Sequence, residues 1–300
     1  MLKLGVATAL ICAAASIAYA GDPKFEFGKA EEVAKVKDTE YTASAEAGVV
    51  FTTGNSETTT ITAGAKASRK TGKNKLSAEG NITYARSAVR VLDDQNGNGV
   101  IDNTDEIRSE ASTTAEQLAI KVRYDRFLTE FNSLFVAALA SRDLPAGKEA
   151  VFGAQAGYSR RLYKSEKTEA VGEFGYDYSH EDLVAGEAVE IHSARAFVGF
   201  KSEMTEGATF ETSGEVLTNL NHETLPTRTN GADFGEDTRV NFKAAVSAKL
   251  GKRAAIQTSI EAKYDNRPAP ANIAGLAMGF VPEASKLDTM MKASFIYNFF

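Results

Sequence analysis

Residues 239–250 read RVNFKAAVSAKL. Val240, Phe242, Ala244, Val246, Ala248 and Leu250 occupy every second place, and Arg239, Asn241, Lys243, Ala245, Ser247 and Lys249 fill the places between. Successive side chains of a strand point to opposite faces, so this stretch has one apolar and one charged face. The pattern recurs. Ile256, Thr258, Ile260, Ala262 and Tyr264 alternate with Gln257, Ser259, Glu261, Lys263 and Asp265, and Leu76, Ala78, Gly80, Ile82 and Tyr84 alternate with Ser77, Glu79, Asn81 and Thr83.

Twelve such segments are expected, near 41–53, 57–70, 75–91, 112–125, 132–144, 149–164, 167–180, 190–203, 207–220, 237–250, 253–266 and 286–300. An even number is what a single-chain bacterial barrel requires. The connections alternate in length. Those at 71–74, 126–131, 165–166, 204–206 and 251–252 are short; those at 92–111, 144–149, 181–189, 221–236 and 267–285 are longer, and only the first, Gly54-Asn55-Ser56, is short where a long one is due. Short periplasmic turns and longer outer loops mark an outer-membrane barrel. A soluble β-sandwich also alternates, but its core wants denser side chains than Ala194, Ala196, Val198 and Phe200 supply. Tyr84, Tyr124, Tyr158, Tyr178, Tyr264 and Tyr297 lie near segment ends on the apolar phase, where interfacial girdles belong. The expected fold is all-β, an antiparallel transmembrane barrel of twelve strands. Its last strand alternates Ala293, Phe295, Tyr297 and Phe299 before Phe300, the terminal aromatic signature read by barrel-assembly machinery.

The start of the chain reads as an export signal. Lys3, an apolar run from Leu4 to Ala18 and the small-x-small end Ala18-Tyr19-Ala20 predict cleavage before Gly21, since the run falls short of the ~20 residues of a spanning helix. Cys12, the one cysteine, lies within this signal, and Ile11 before it does not suit lipoprotein processing. Residues 21–40 are expected to form a periplasmic tail and 41–300 the barrel. Without Lys3 the 40 acidic residues exceed the basic ones by seven, which speaks against a nucleic-acid partner. No later apolar run reaches 18 residues, so the chain does not read as a helical membrane protein.

Thr53-Gly54-Asn55-Ser56-Glu57-Thr58 after an alternating strand, then Tyr264-Asp265-Asn266-Arg267-Pro268 and Lys286-Leu287-Asp288-Thr289 before a terminal aromatic strand, resemble a family of salt-induced outer-membrane proteins of unknown function. The resemblance spans roughly 41–300. It implies a barrel in the outer membrane, and little about activity. Ala271 to Glu283 and Leu92 to Arg108 lengthen two loops beyond the family form.

The second of these, an insertion at 92–108, carries Asp94-Gln95-Asn96-Gly97-Asn98-Gly99-Val100-Ile101-Asp102-Asn103-Thr104-Asp105. Oxygen ligands at positions 1, 3 and 5, glycine at 6 and a carboxylate at 12 fit a calcium loop. Asp94, Asn96, Asn98 and Asp105 would ligate Ca2+ by side chain, Val100 by its carbonyl and Asp102 through water, ordering an outer loop. Asp105 stands where glutamate is usual, as in dockerin-type loops. The bland alternative is an Asn/Asp/Gly-rich turn.

The charged phase of the strands is expected to line the lumen: Lys66, Glu79, Lys121, Arg123, Glu173, Arg195, Glu211, Glu215, Arg239, Lys243, Glu261 and Lys263. Twelve strands fall between eight, which side chains fill, and sixteen, which leave a channel. A small-solute pore and a filled structural or binding barrel therefore both stay open. An outer-membrane hydrolase is the least favoured reading. His192 and Ser193 are adjacent on one strand, hence on opposite faces, and His180 with Glu181 and Asp182 reads as a solvated strand end. Expected partners are outer-membrane lipid, the assembly machinery and small solutes. The apolar residues Ile273, Leu276, Met278, Phe280 and Val281 in the last long loop suggest a plug or a partner contact.

Overall fold

The computed structural model describes residues 39–52, 57–92, 107–144, 147–184, 187–223, 232–268 and 286–299. The signal segment, nearly all of the tail, the calcium-type loop from Asp94 to Asp105 and the apolar loop 269–285 lie outside them.

Twelve strands close into one antiparallel barrel in chain order: β1 (Glu40–Thr52), β2 (Glu57–Thr71), β3 (Asn74–Leu92), β4 (Ile107–Phe127), β5 (Asn132–Asp143), β6 (Lys148–Lys164), β7 (Thr168–Leu183), β8 (Val189–Thr205), β9 (Ala208–Asn219), β10 (Thr238–Lys249), β11 (Ala254–Asp265) and β12 (Leu287–Asn298). All twelve expected segments are strands. The main difference is at β3 and β4, which run to Leu92 and start at Ile107, so the connection is shorter than the expected insertion. The sequence pattern predicts loop at 107–111, yet Leu92 pairs with Ile107, and the ladder continues down to Asn74 opposite Arg126 with one bulge at Ala85/Arg86. Pairing of β4 with β5 begins only at Gln117 opposite Asp143. The β3–β4 hairpin therefore stands above the neighbouring rim.

The two-residue turn between β2 and β3 holds Gly72 at φ 55°, a left-handed conformation that glycine adopts without a Cβ penalty. The seam is the weakest ladder. β1 pairs with β2 from Glu40 to Thr52, but with β12 only from Ser44, opposite Asn298, to Ala47, opposite Phe295. Lys292 Nζ on β12 donates to Glu46 Oε1 on β1 at 2.6 Å and ties the seam across the lumen face.

The barrel is inside-out compared with a soluble protein. Phe174 is 68% and Val198 56% exposed on the outer face, while Arg195, Gln117, Glu215 and Asn219 are among the largest fully buried side chains. An apolar exterior and a polar, internally paired interior are what lipid demands of a sheet that crosses it, because closure leaves no edge unpaired. Tyrosines on the outer face hydrogen-bond strand-end asparagines at both rims: Tyr124 to Asn74 at 2.6 Å and Tyr158 to Asn132 at the short-turn end, Tyr264 to Asn266 at 3.2 Å at the other.

Candidate functional site in the barrel lumen

A belt of ion pairs crosses the lumen at mid-height. Arg123 on β4 donates both terminal nitrogens to Glu173 on β7, at 3.0 and 2.6 Å, and its Nε to Asp125 at 2.9 Å. Arg195 on β8 donates to the same Glu173 at 2.9 Å and to Glu215 on β9 at 2.6 Å, and Asn241 on β10 completes the row by donating to Glu215 at 3.0 Å. Two planar forks thus share three carboxylates, the geometry for which guanidinium is suited. The Arg123 guanidinium stacks 3.9 Å above the Phe135 ring, and Arg195 lies 5.6 Å from it and 5.3 Å from Phe197. The ring of Phe135 fits because Gly157 and Gly175 face one another across β6 and β7. A Cβ at Gly157 would lie 2.8 Å from that ring, and one at Gly175 2.3 Å from the Ala156 carbonyl.

Toward the long-loop end a second cluster forms around Glu181, which accepts from Lys148 at 2.7 Å, Arg239 at 3.0 Å and Ser179 at 3.1 Å. Gln155 donates to Asp177 and Gln117 to Asp143. Above these, Leu183, Val189 and Ile191 form an inward apolar cluster. In the β9–β10 connection, Glu223 and Asp237 lie side by side. Both oxygens of Glu223 and Oδ1 of Asp237 are buried and accept no hydrogen bond among the described residues. Burial, and then the neighbouring Asp237 carboxylate, push the Glu223 carboxyl up to about 8, and burial likewise raises Asp237 against the pull of Arg239.

Below the belt, at the end with the short turns, lies a vestibule of about 540 Å³. Seven basic and four acidic side chains line it. Of the residues expected in the lumen, Lys66, Glu79, Lys121, Arg123, Glu173, Arg195 and Glu211 line this vestibule, with Glu211 bound to Lys201 at 2.7 Å. Glu215 is in the belt and Arg239 in the upper cluster. Lys243 pairs with Glu261 at 3.4 Å on the β10–β11 wall, and Lys263 is buried beside them.

Sequence reasoning missed Phe135, Lys148 and the Gly157–Gly175 pair. A signal existed: residues 133–139 are apolar on both phases at Phe135 and Leu139, which marks an inward apolar side chain. His192 faces outward and shares a hydrogen bond with Tyr176, while Ser193 points inward and is 1% exposed. His180 lies 3.3 Å from Asp182 and 3.7 Å from Glu190 at the outer rim. Among the described residues no three metal-ligating side chains converge on a point.

Residues 45–299 match a family described as protein of unknown function, DUF481. The chain belongs to that family. No curated protein matches this DUF481 chain by sequence. Solved barrels resemble it distantly. The NanC porin is 9% identical with a TM-score of 0.40, covering 86% of this chain and 97% of its own. The translocator domain of the autotransporter NalP from Neisseria meningitidis is 12% identical with a TM-score of 0.39, covering 86% and 87%. The anion-selective porin from Comamonas acidovorans is 9% identical with a TM-score of 0.37, covering 87% and 100%.

Proposed function

We propose that this DUF481 protein is an outer-membrane barrel of the Gram-negative envelope whose lumen is closed at mid-height, so that its working surface is the vestibule facing the periplasm. The observation that carries this is the dryness of the belt. Arg123, Glu173, Arg195 and Glu215 are long charged side chains in the middle of the lumen, yet none is more than 6% exposed. A water-filled channel would leave them wet, as Lys66 in the vestibule is. The periplasmic orientation follows from the short turns and from both barrel termini lying at the vestibule end. Of the two readings the sequence leaves open, the geometry favours the binding or structural barrel over the small-solute pore. The enzyme reading gains nothing, because His192 and Ser193 face apart.

The test is single-channel recording of the refolded barrel in planar bilayers. The wild type is expected to stay at baseline, and an Arg195→Ser/Glu173→Ser variant, which removes the centre of the belt as a pair, to show steady conductance. Steady conductance in the wild type would sink the closed-lumen reading and restore the pore.

A further inference from the structure

We infer that the vestibule is a binding site for a small soluble anion carrying a phosphate group, held by the lysines of β2–β4. The inference rests on the vestibule reading above and adds the ligand class.

Lys66, Glu79 and Lys121 stand directly opposite one another on β2, β3 and β4, all three lining the cavity. One carboxylate thus sits between two ammonium groups. Lys121 is 7% exposed, and its Nζ has no hydrogen-bond partner among the described residues. An ammonium taken out of water without a partner is costly, and an anion in the adjoining cavity would relieve that cost. The wider lining has the same sign, with its excess of basic over acidic side chains in a chain that is net acidic.

Phosphate fits this lining better than a carboxylate does. Planar carboxylates are best matched by guanidinium forks, and both forks here are already committed to Glu173, Asp125 and Glu215. Of the ammonium groups around the cavity, that of Lys121 makes no hydrogen bond among the described residues, and an ammonium is a point charge with three rotatable donors that suits a tetrahedral oxyanion. The cavity volume lies within the range of roughly 300–1,000 Å³ of small-molecule pockets, leaving room for a substituent on the phosphate. It opens on the barrel axis and not on the lipid face, so a soluble periplasmic solute is the occupant.

Calorimetric titration of inorganic phosphate into the refolded full chain in zwitterionic detergent, near neutral pH, tests this. Saturable binding at one site is expected, weakened at least tenfold in Lys121→Met and tightened severalfold in Glu79→Gln, which removes the competing charge. Absence of saturable binding, equal affinity for acetate, or wild-type affinity in Lys121→Met would overturn it. If Lys121→Met does not refold, Glu79→Gln decides alone, and unchanged or weaker binding there overturns the site. Conductance is read on the same preparation. A conducting barrel that binds phosphate ends the closed-lumen reading and spares this one; a silent barrel that binds none does the reverse.

Discussion

The belt and the vestibule are built from the same letters, Lys, Arg and Glu on the inward phase of neighbouring strands, and behave in opposite ways. In the belt, Arg195 is 1% exposed and both its carboxylate partners are shared with other donors. In the vestibule, Lys66 is exposed and Lys121 Nζ makes no hydrogen bond among the described residues. Inward charge in a barrel does not by itself line a pore. Planar forks, an aromatic floor and two facing glycines let the belt pack without water, and lysines without those supports leave space behind.

The largest expected effect separates the two regions by stability. Glu173→Ala removes the carboxylate shared by two buried guanidinium groups, leaving Arg123 on Asp125 alone and Arg195 on Glu215 alone, and breaking buried pairs in this way costs about 3–5 kcal/mol. Glu79→Ala removes a half-buried vestibule carboxylate that faces the exposed Lys66 on one side and the buried Lys121 on the other, and should cost less, about 1 kcal/mol. Urea unfolding in lipid vesicles measures both, and equal losses would erase the distinction between belt and vestibule.

A smaller contrast comes from the glycines. Gly175→Ala drives a methyl against the Ala156 carbonyl, for which backbone must move, and should cost about 1–3 kcal/mol. Gly64→Ala, in the vestibule, meets at 2.9 Å only the flexible side chain of Glu46, and a loss of about 0.5 kcal/mol or less is expected. If the two substitutions cost the same, the floor under Phe135 is not what holds the belt in place.

The smallest effect concerns pH at the outer rim. Glu223 and Asp237 bind protons more tightly folded than unfolded, so their contribution is fully present below the ordinary carboxylate range and is lost as pH rises above it, that of Glu223 by about 8. Hydrogen exchange at the Glu223–Ala232 bridge, whose two backbone bonds are 3.0 and 2.7 Å, is therefore expected to accelerate beyond the intrinsic rate as pH rises from the ordinary carboxylate range to about 8, and to show no further excess above it. Glu223→Gln should flatten that rise. A belt amide such as Glu215 should show none, and a uniform rise across both would mean that the whole barrel loosens.

The strand pattern was legible because alternation is imposed by lipid on one side and paired charge on the other, and every segment from 41 to 298 carries it. The inward face could be listed from that phase alone. What could not be read was partnership. Arg123 and Glu173 are fifty residues apart on strands separated by two others, and only the barrel's curvature brings them together. The vestibule was hidden for the same reason, since a cavity is defined by what fails to meet across it. The length of the β3–β4 hairpin was underestimated because residues 107–111 have too little alternation to mark a strand, and pairing with Leu92 to Ala88 supplies what the pattern lacks.

The seam sets a timetable. Glu46 and Lys292 are 246 positions apart, so the ring cannot be completed until almost the entire polypeptide has been delivered. Closing so distant a contact is slow because its entropy must be surrendered before any bond rewards it. Throughout that wait β1 and the strand most recently added present bare hydrogen-bonding edges, which invite pairing with other chains. An unfinished barrel of this design is most vulnerable, and most in need of an escort, just before its last strand arrives.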